Sequence, residues 1–286
     1  MDFKHDKYVN ELMVKFLEIG NLLFYSVKES FSRLDIVGLG ADDRVTTRVD
    51  KMCEDIIINQ LRKLSFPWFG ISEEAGEIFN NNQKSNNIFS FLIDPLDATH
   101  NAVIDFPFYS SSIAVFKNGE LYIGWVFDIS RNITYFALRN FGAFVKKGDK
   151  FTPINVNKTV NISEAVIGLI RPKSKEEYLS WMDILLRVNK YRCVSCSSLE
   201  ICYVASGIYD SFIDLSKKGW QKDCDIAAAL LILSEAGGFF SDLDGGKFLI
   251  KEPSIHSLKT RRSLITACTE ELAKEIISTL KMNKGG

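Results

Sequence analysis

The stretch Ile226-Ala227-Ala228-Ala229-Leu230-Leu231-Ile232-Leu233 constrains this chain most, because it has no polar residue on any face and runs on to Gly237-Gly238. A helix of this composition has no side to show water, so other layers must enclose it. The glycine pair marks its end. Asp225 stands at its start, where a carboxylate is expected to cap free backbone N–H groups and so lies near the interior. Ile88-Phe89-Ser90-Phe91-Leu92-Ile93 is apolar at all positions but Ser90 and reads as a strand buried on both faces.

That strand leads into Asp94-Pro95-Leu96-Asp97-Ala98-Thr99-His100-Asn101. Pro95 cannot donate to a ladder, so the strand is expected to stop there. Asp94 then sits at the carboxyl end of a strand, where open α/β sheets place their ligand sites. Asp97 is expected to cap a short helix that leaves the amides of Ala98 and Thr99 free. Two carboxylates beside amide donors suit a divalent cation and a phosphate lying side by side. Asp-Pro-x-Asp also occurs in ordinary turns, so the reading needs support from the rest of the chain.

A length of 286 residues fits one large domain or two closely packed lobes. The polar run Lys146-Lys147-Gly148-Asp149-Lys150 suggests a lobe boundary soon after it, giving residues 1–155 and 156–286. A net charge of −1 offers no electrostatic reason to bind nucleic acid or a membrane. No run of eighteen apolar residues appears, and Met1 to Asp6 lacks the apolar core of a secretory signal, so a cytoplasmic location is expected. Cys193-Val194-Ser195-Cys196 has no second pair or nearby His to complete a zinc set, and the six cysteines read as buried or incidental thiols.

Residues 6–30 carry apolar positions at helical spacing, and a second helix runs through Met52, Ile56, Ile57, Leu61 and Leu64 with Asp50 in its first turn. Phe66 to Ile71 reads as a strand ended by Ser72-Glu73-Glu74, whose side chains would ordinarily face solvent. Asn80 to Asn87 reads as a mobile polar loop. Asn118-Gly119 between apolar runs signals a hairpin, continued as a meander through Val145. The second half alternates strand and helix from Ala165 onward. Asp242-Leu243-Asp244-Gly245 lacks the later Glu of a calcium loop and reads as a turn.

Asp50, Glu73, Asp94, Asp97 and Asp225 thus all stand at ends of elements. No lysine or arginine stands at a matching position for each of them. Gathered in one cleft and unpaired, they would repel one another and shift their pKa values, and divalent cations would relieve this. Oxygen ligands without His favour Mg²⁺ or Mn²⁺ over Zn²⁺.

Ser72-Glu73-Glu74, Asp94-Pro95-Leu96-Asp97-Ala98-Thr99-His100-Asn101, and Asp225-Ile226-Ala227-Ala228 leading to Glu235-Ala236-Gly237-Gly238 together resemble the inositol monophosphatase and fructose-1,6-bisphosphatase superfamily. Gly40-Ala41-Asp42 with Thr46 and Asp50 looks most like its archaeal branch, whose members often act on both substrates. The resemblance spans about residues 40 to 240. It implies an α+β fold with α/β layering, an αβαβα sandwich, and a homodimer. It implies a metal-dependent phosphoric monoester hydrolase acting on a small phosphorylated polyol or sugar, inositol 1-phosphate and/or fructose 1,6-bisphosphate. Carried over by position, it makes Glu73, Asp94 and the Leu96 carbonyl ligands of a first Mg²⁺, and Asp94, Asp97 and Asp225 ligands of a second. A third, weaker ion would sit on Glu73 through waters. Thr99 with Asp50 would orient the attacking water, and the amides of Ala98 and Thr99 would bind phosphate.

Departures from the family pattern bear on the substrate. Ala98 replaces the usual Gly, where a methyl would crowd the phosphate if the position needs φ > 0. Ser195-Cys196-Ser197-Ser198-Leu199 stands where many relatives have Gly-Ser-x-x-Leu, which puts Ser197 against the substrate alcohol. Asp223 replaces an apolar or basic residue. The alternatives are a 3′-phosphoadenosine 5′-phosphate or other bisphosphate phosphatase on the same scaffold, or a catalytically weak regulatory homologue.

Overall fold

A computed structural model describes residues 7–29, 35–80, 88–216 and 218–282. The chain opens with helix α1 (Lys7–Glu29), a small hairpin of β1 (Ile36–Leu39) and β2 (Val45–Thr47), and helix α2 (Arg48–Leu61). Strands β3 (Trp68–Ser72), β4 (Gly76–Phe79) and β5 (Phe89–Asp97) follow, then the short helix α3 (Thr99–Val103). A meander of β6 (Ser110–Lys117), β7 (Glu120–Asp128), β8 (Ile133–Leu138), β9 (Gly142–Lys147) and β10 (Lys150–Ile154) closes the first half. The second half carries β11 (Val166–Leu169), α4 (Lys175–Arg187), β12 (Lys190–Arg192), α5 (Ser197–Ala205), β13 (Ser211–Asp214) and β14 (Gln221–Lys222). It ends with α6 (Asp223–Glu235), β15 (Phe239–Ser241), β16 (Arg261–Arg262), β17 (Leu264–Ala267) and α7 (Glu270–Met282).

An eight-stranded sheet runs in the order β10-β9-β8-β7-β6-β5-β3-β4, and a five-stranded sheet in the order β12-β11-β13-β17-β15. In the large sheet only β3 and β5 pair in parallel. One of its faces is covered by α1 and α2, where Phe16, Trp125 and Phe127 stack. The other face packs on α5 and α6, which lie against the small sheet, and α4 and α7 complete the far side. The outcome is the αβαβα layering that the resemblance implied. The all-apolar run of α6 is the middle layer and is buried throughout. It lies close on β7 because Gly124 has no side chain: a Cβ there would collide with the Ala228 carbonyl.

Several local expectations change. Pro95 does not end β5. Asp94 pairs with Ser112 and Asp97 with Ser110, so Pro95 and Leu96 bulge out of the ladder where no proline N–H is needed. The second helix stops at Leu61 rather than Leu64. Asn118 (φ 52°) and Gly119 (φ 81°) form the expected hairpin turn, and Asp242 accepts the N–H groups of Asp244 and Gly246 within its own turn. The run from Lys146 to Lys150 is the turn between β9 and β10. The mobile loop expected over Asn80 to Asn87 falls, from residue 81 on, outside the described residues. All six cysteines are free, and only Cys193 is exposed. Among the described residues no helix is long and apolar enough to cross a membrane.

Candidate active site

Two helix starts, of α2 and α6, meet the carboxyl ends of the neighbouring strands β3 and β5. Asp50 is the third residue of α2: its carboxylate accepts the Thr47 N–H at 2.8 Å while Thr47 Oγ1 accepts the Asp50 N–H at 3.4 Å. This reciprocal box fixes the rotamer and leaves Asp50 Oδ1 to accept the Thr99 hydroxyl at 2.7 Å. Asp225 takes the same position in α6. It is not the capping residue expected above but the third residue of the helix, and its Oδ2 accepts the Lys222 N–H at 2.9 Å. At the end of β5, Asp94 is buried and its Oδ1 accepts the Leu96 N–H at 3.0 Å.

Asp97 does not cap α3. Its Oδ2 accepts both the N–H and the hydroxyl of Ser198, at 2.9 and 2.6 Å, which ties β5 to the start of α5. The residue before α3 is Ala98, in the left-handed conformation (φ 67°, ψ 47°) without a side-chain cap. Asn101 donates to the carbonyls of Phe108 and Val194, each at 2.8 Å, and so holds the segment carrying Ser197 beside α3.

Glu73, Asp94, Leu96, Asp97, Ala98, Thr99, Ser197 and Asp225 all line one cavity of about 420 Å³. Asp50 stands behind Thr99. Glu73, Cys224 and Asp225 bring their donor atoms within 4.8 Å of one another, as a metal site requires. Cys224 was read as incidental from the sequence. Its buried thiol, pushed well up by burial and by Asp225, donates to Asp225 Oδ1 at 3.3 Å.

The carboxylates are strained electrostatically. Burial, then Glu73, Asp225 and Asp97, push Asp94 well above the carboxylate range. Burial and Asp225 raise Asp97 to about 6 in spite of the Ser198 bonds. Burial raises Glu74 to about 7, against a hydrogen bond from the Thr46 hydroxyl. These groups hold protons in the folded chain that they would release on unfolding. Their stabilising contribution is complete below the unfolded carboxylate range, about pH 4. It is lost as pH rises through about 6 and about 7. The melting temperature of the chelated protein is therefore expected to fall between about pH 5 and about pH 8, and Mg²⁺ to flatten that fall. Melts in chelator that ignore pH over this range would contradict the buried repulsion.

The carboxylates have no cation each, but one lysine stands among them. Lys222 is buried, with Nζ hydrogen-bonded to Glu73, 3.0 Å from Asp42 Oδ2 and 3.7 Å from Asp225 Oδ1. Burial opposes its charge, but the neighbouring acids, Asp225 foremost, hold its pKa above the ordinary lysine range. A single ammonium does not offset all the carboxylates around the cavity. The remaining oxygen donors fit a hard divalent cation, whereas the Cys224 thiol and the Lys222 ammonium do not suit magnesium. The sequence reading also missed Arg44, Arg171, Lys173 and Trp220, which line the same cavity.

Ala98 makes the φ > 0 concern concrete. A left-handed alanine costs about 1 kcal/mol or more relative to glycine. Ala98→Gly is expected to raise unfolding free energy by about 1 kcal/mol in denaturant titration. A loss of stability would mean that the methyl packs well enough to outweigh the strain.

Five alternating layers, with buried carboxylates at strand and helix ends, define an α+β sandwich of the sugar-phosphatase type. The chain belongs to the inositol monophosphatase family, a family of phosphoric monoester hydrolases, whose profile matches residues 14–282. It is 30% identical over 258 residues to the fructose-1,6-bisphosphatase/inositol-1-monophosphatase of Methanothermobacter thermautotrophicus, covering 87% of this chain and 88% of that protein. It is 32% identical over 228 residues to the bifunctional NADP phosphatase/NAD kinase of Methanococcus maripaludis, covering 74% of this chain but 39% of that protein's length. The crystal structure of the extragenic suppressor protein SuhB from Bartonella henselae superposes with a TM-score of 0.78 at 25% identity, covering 98% of this chain and all of that one.

Proposed function

We propose that this chain is a Mg²⁺-dependent phosphomonoesterase that hydrolyses inositol 1-phosphate, fructose 1,6-bisphosphate, or both, and that it works in the cytoplasm as a homodimer. The observation that carries the reading is the meeting of Glu73, Asp94, Asp97 and Asp225, drawn from the end of β3, from β5 and from α6, in one cavity. Two or three Mg²⁺ ions, with Mn²⁺ as a substitute, would supply positive charge for the phosphate and lower the pKa of a water. Glu73, Asp94, the Leu96 carbonyl, Asp97 and Asp225 would hold them. Thr99, hydrogen-bonded to Asp50, orients the water and accepts its proton into that pair. The Ala98 and Thr99 amides and Ser197 bind the phosphate and the alcohol.

Phosphate release from myo-inositol 1-phosphate and from fructose 1,6-bisphosphate, each with Mg²⁺ and with chelator, tests the reading. Magnesium-dependent release from either is expected. No release from any small phosphomonoester would favour a regulatory homologue. The similarity to an NADP phosphatase favours a second reading, a nucleotide phosphate as substrate, and NADP belongs in the same assay.

A further inference from the structure

The three aspartates at the cavity share one feature: a backbone N–H holds one oxygen of each. Leu96 holds Asp94 Oδ1 at 3.0 Å, Ser198 holds Asp97 Oδ2 at 2.9 Å, and Lys222 holds Asp225 Oδ2 at 2.9 Å. Asp97 is held most firmly. Its Oδ2 also accepts the Ser198 hydroxyl at 2.6 Å, and Cys196 Sγ lies 3.4 Å from the same atom. Among the described residues every hydrogen bond to the Asp97 side chain falls on Oδ2. Ser198 spends its one proton on Asp97, so the Ser110 hydroxyl, 2.6 Å away, donates to Ser198 Oγ. Both serines are fully buried, and each bond in the series Ser110, Ser198, Asp97 polarises the next. Burying two hydroxyls carries a desolvation cost that alanines would avoid. In return the carboxylate is fixed in rotation with one oxygen withheld. That bears on the choice of ion. Ca²⁺ takes about six to eight oxygens and grips carboxylates through one oxygen or both, whereas Mg²⁺ demands a small, near-ideal octahedron.

We propose that Ser198, backed by Ser110, is a metal-specificity determinant: it holds Asp97 as a one-oxygen ligand and so turns the carboxylate site toward Mg²⁺ and against Ca²⁺. The proposal rests on the magnesium reading above and adds which ion is refused and by what. Ser198 touches neither ion nor substrate in this account. It is a positioning residue that acts through Asp97.

The test titrates Mg²⁺ and Ca²⁺ separately into metal-stripped wild type, Ser198→Ala and the double variant Ser110→Ala, Ser198→Ala. Binding is read by calorimetry and by the rise in melting temperature. Magnesium-dependent phosphate release from myo-inositol 1-phosphate and fructose 1,6-bisphosphate is measured on the same proteins. Ser198→Ala is expected to tighten Ca²⁺ relative to Mg²⁺ by about fivefold, and the double variant by at least as much. Ser198→Thr keeps the hydroxyl and should keep the wild-type ratio. Both ions are measured on one chain, so a general loss of stability does not move the ratio. If both ions weaken in step, Ser198 only supports the start of α5 and the proposal is overturned. An unchanged ratio, or a shift toward Mg²⁺, overturns it as well. A shift toward Ca²⁺ in a chain whose wild type releases no phosphate sustains the ion selection while the phosphatase reading fails. Magnesium-dependent release with an unshifted ratio does the reverse. If neither ion binds wild type, both fall.

Discussion

Asp94→Asn is expected to reduce magnesium-dependent phosphate release by about a thousandfold or more while the chain stays folded. Asp94 is 2% exposed, and three neighbouring carboxylates oppose its charge. The amide keeps an acceptor for the Leu96 N–H at 3.0 Å, so the shape of the β5 end survives. What it removes is a buried carboxyl that, without metal, either keeps a proton or repels its neighbours. In chelator the variant should therefore melt above wild type, and added Mg²⁺ should no longer raise its melting temperature. Turnover with an ordinary magnesium response would take Asp94 out of the proposed site.

Lys222→Met should act in the opposite sense. Its ammonium lies among Asp42, Glu73 and Asp225, and removing one partner from a buried charge cluster costs about 3 kcal/mol or more. The chelated variant is expected to lose about that much unfolding free energy and to recover a larger share of it on adding Mg²⁺ than wild type gains. Lys222 occupies space and charge that an ion on Glu73 and Asp225 would take, so the magnesium concentration for half-maximal recovery should also fall. Calorimetric titration and denaturant melts read both effects. An unchanged magnesium midpoint would show that Lys222 does not compete for this position.

The central helix and the buried strand were legible because their composition admits one environment. Ile226 to Leu233 cannot face water, and Phe89 to Ile93 offers no polar stripe. The carboxylates were legible as types at the ends of elements, but the partners of each were not. Asp97 was assigned to its own helix because caps are local, whereas it is held by Ser198, 101 residues away. Lys222 stands beside Asp223 and Asp225 in the chain, yet its ammonium reaches Asp42, 180 residues distant. Pairings of that range depend on how layers stack, which no local pattern encodes. A signal did exist. Lys222 stands three residues before Asp225, at the mouth of a helix already read as buried, so its side chain had to end near that carboxylate. Arg171 and Lys173 carried none, since cations around a proline are ordinary loop composition.

The course of β5 carries a further consequence. Phe89, Phe91 and Ile93 enter the core beneath α1 and α2, while Leu92 enters the core beneath α6. A strand gripped from both sides cannot splay when like charges gather at its tip. Repulsion that a looser scaffold would dissipate by a small shift stays in place and is relieved by whatever positive charge arrives. Stiffness is in this sense a source of cation affinity, and aromatic packing far from any donor oxygen helps set how tightly an ion is held.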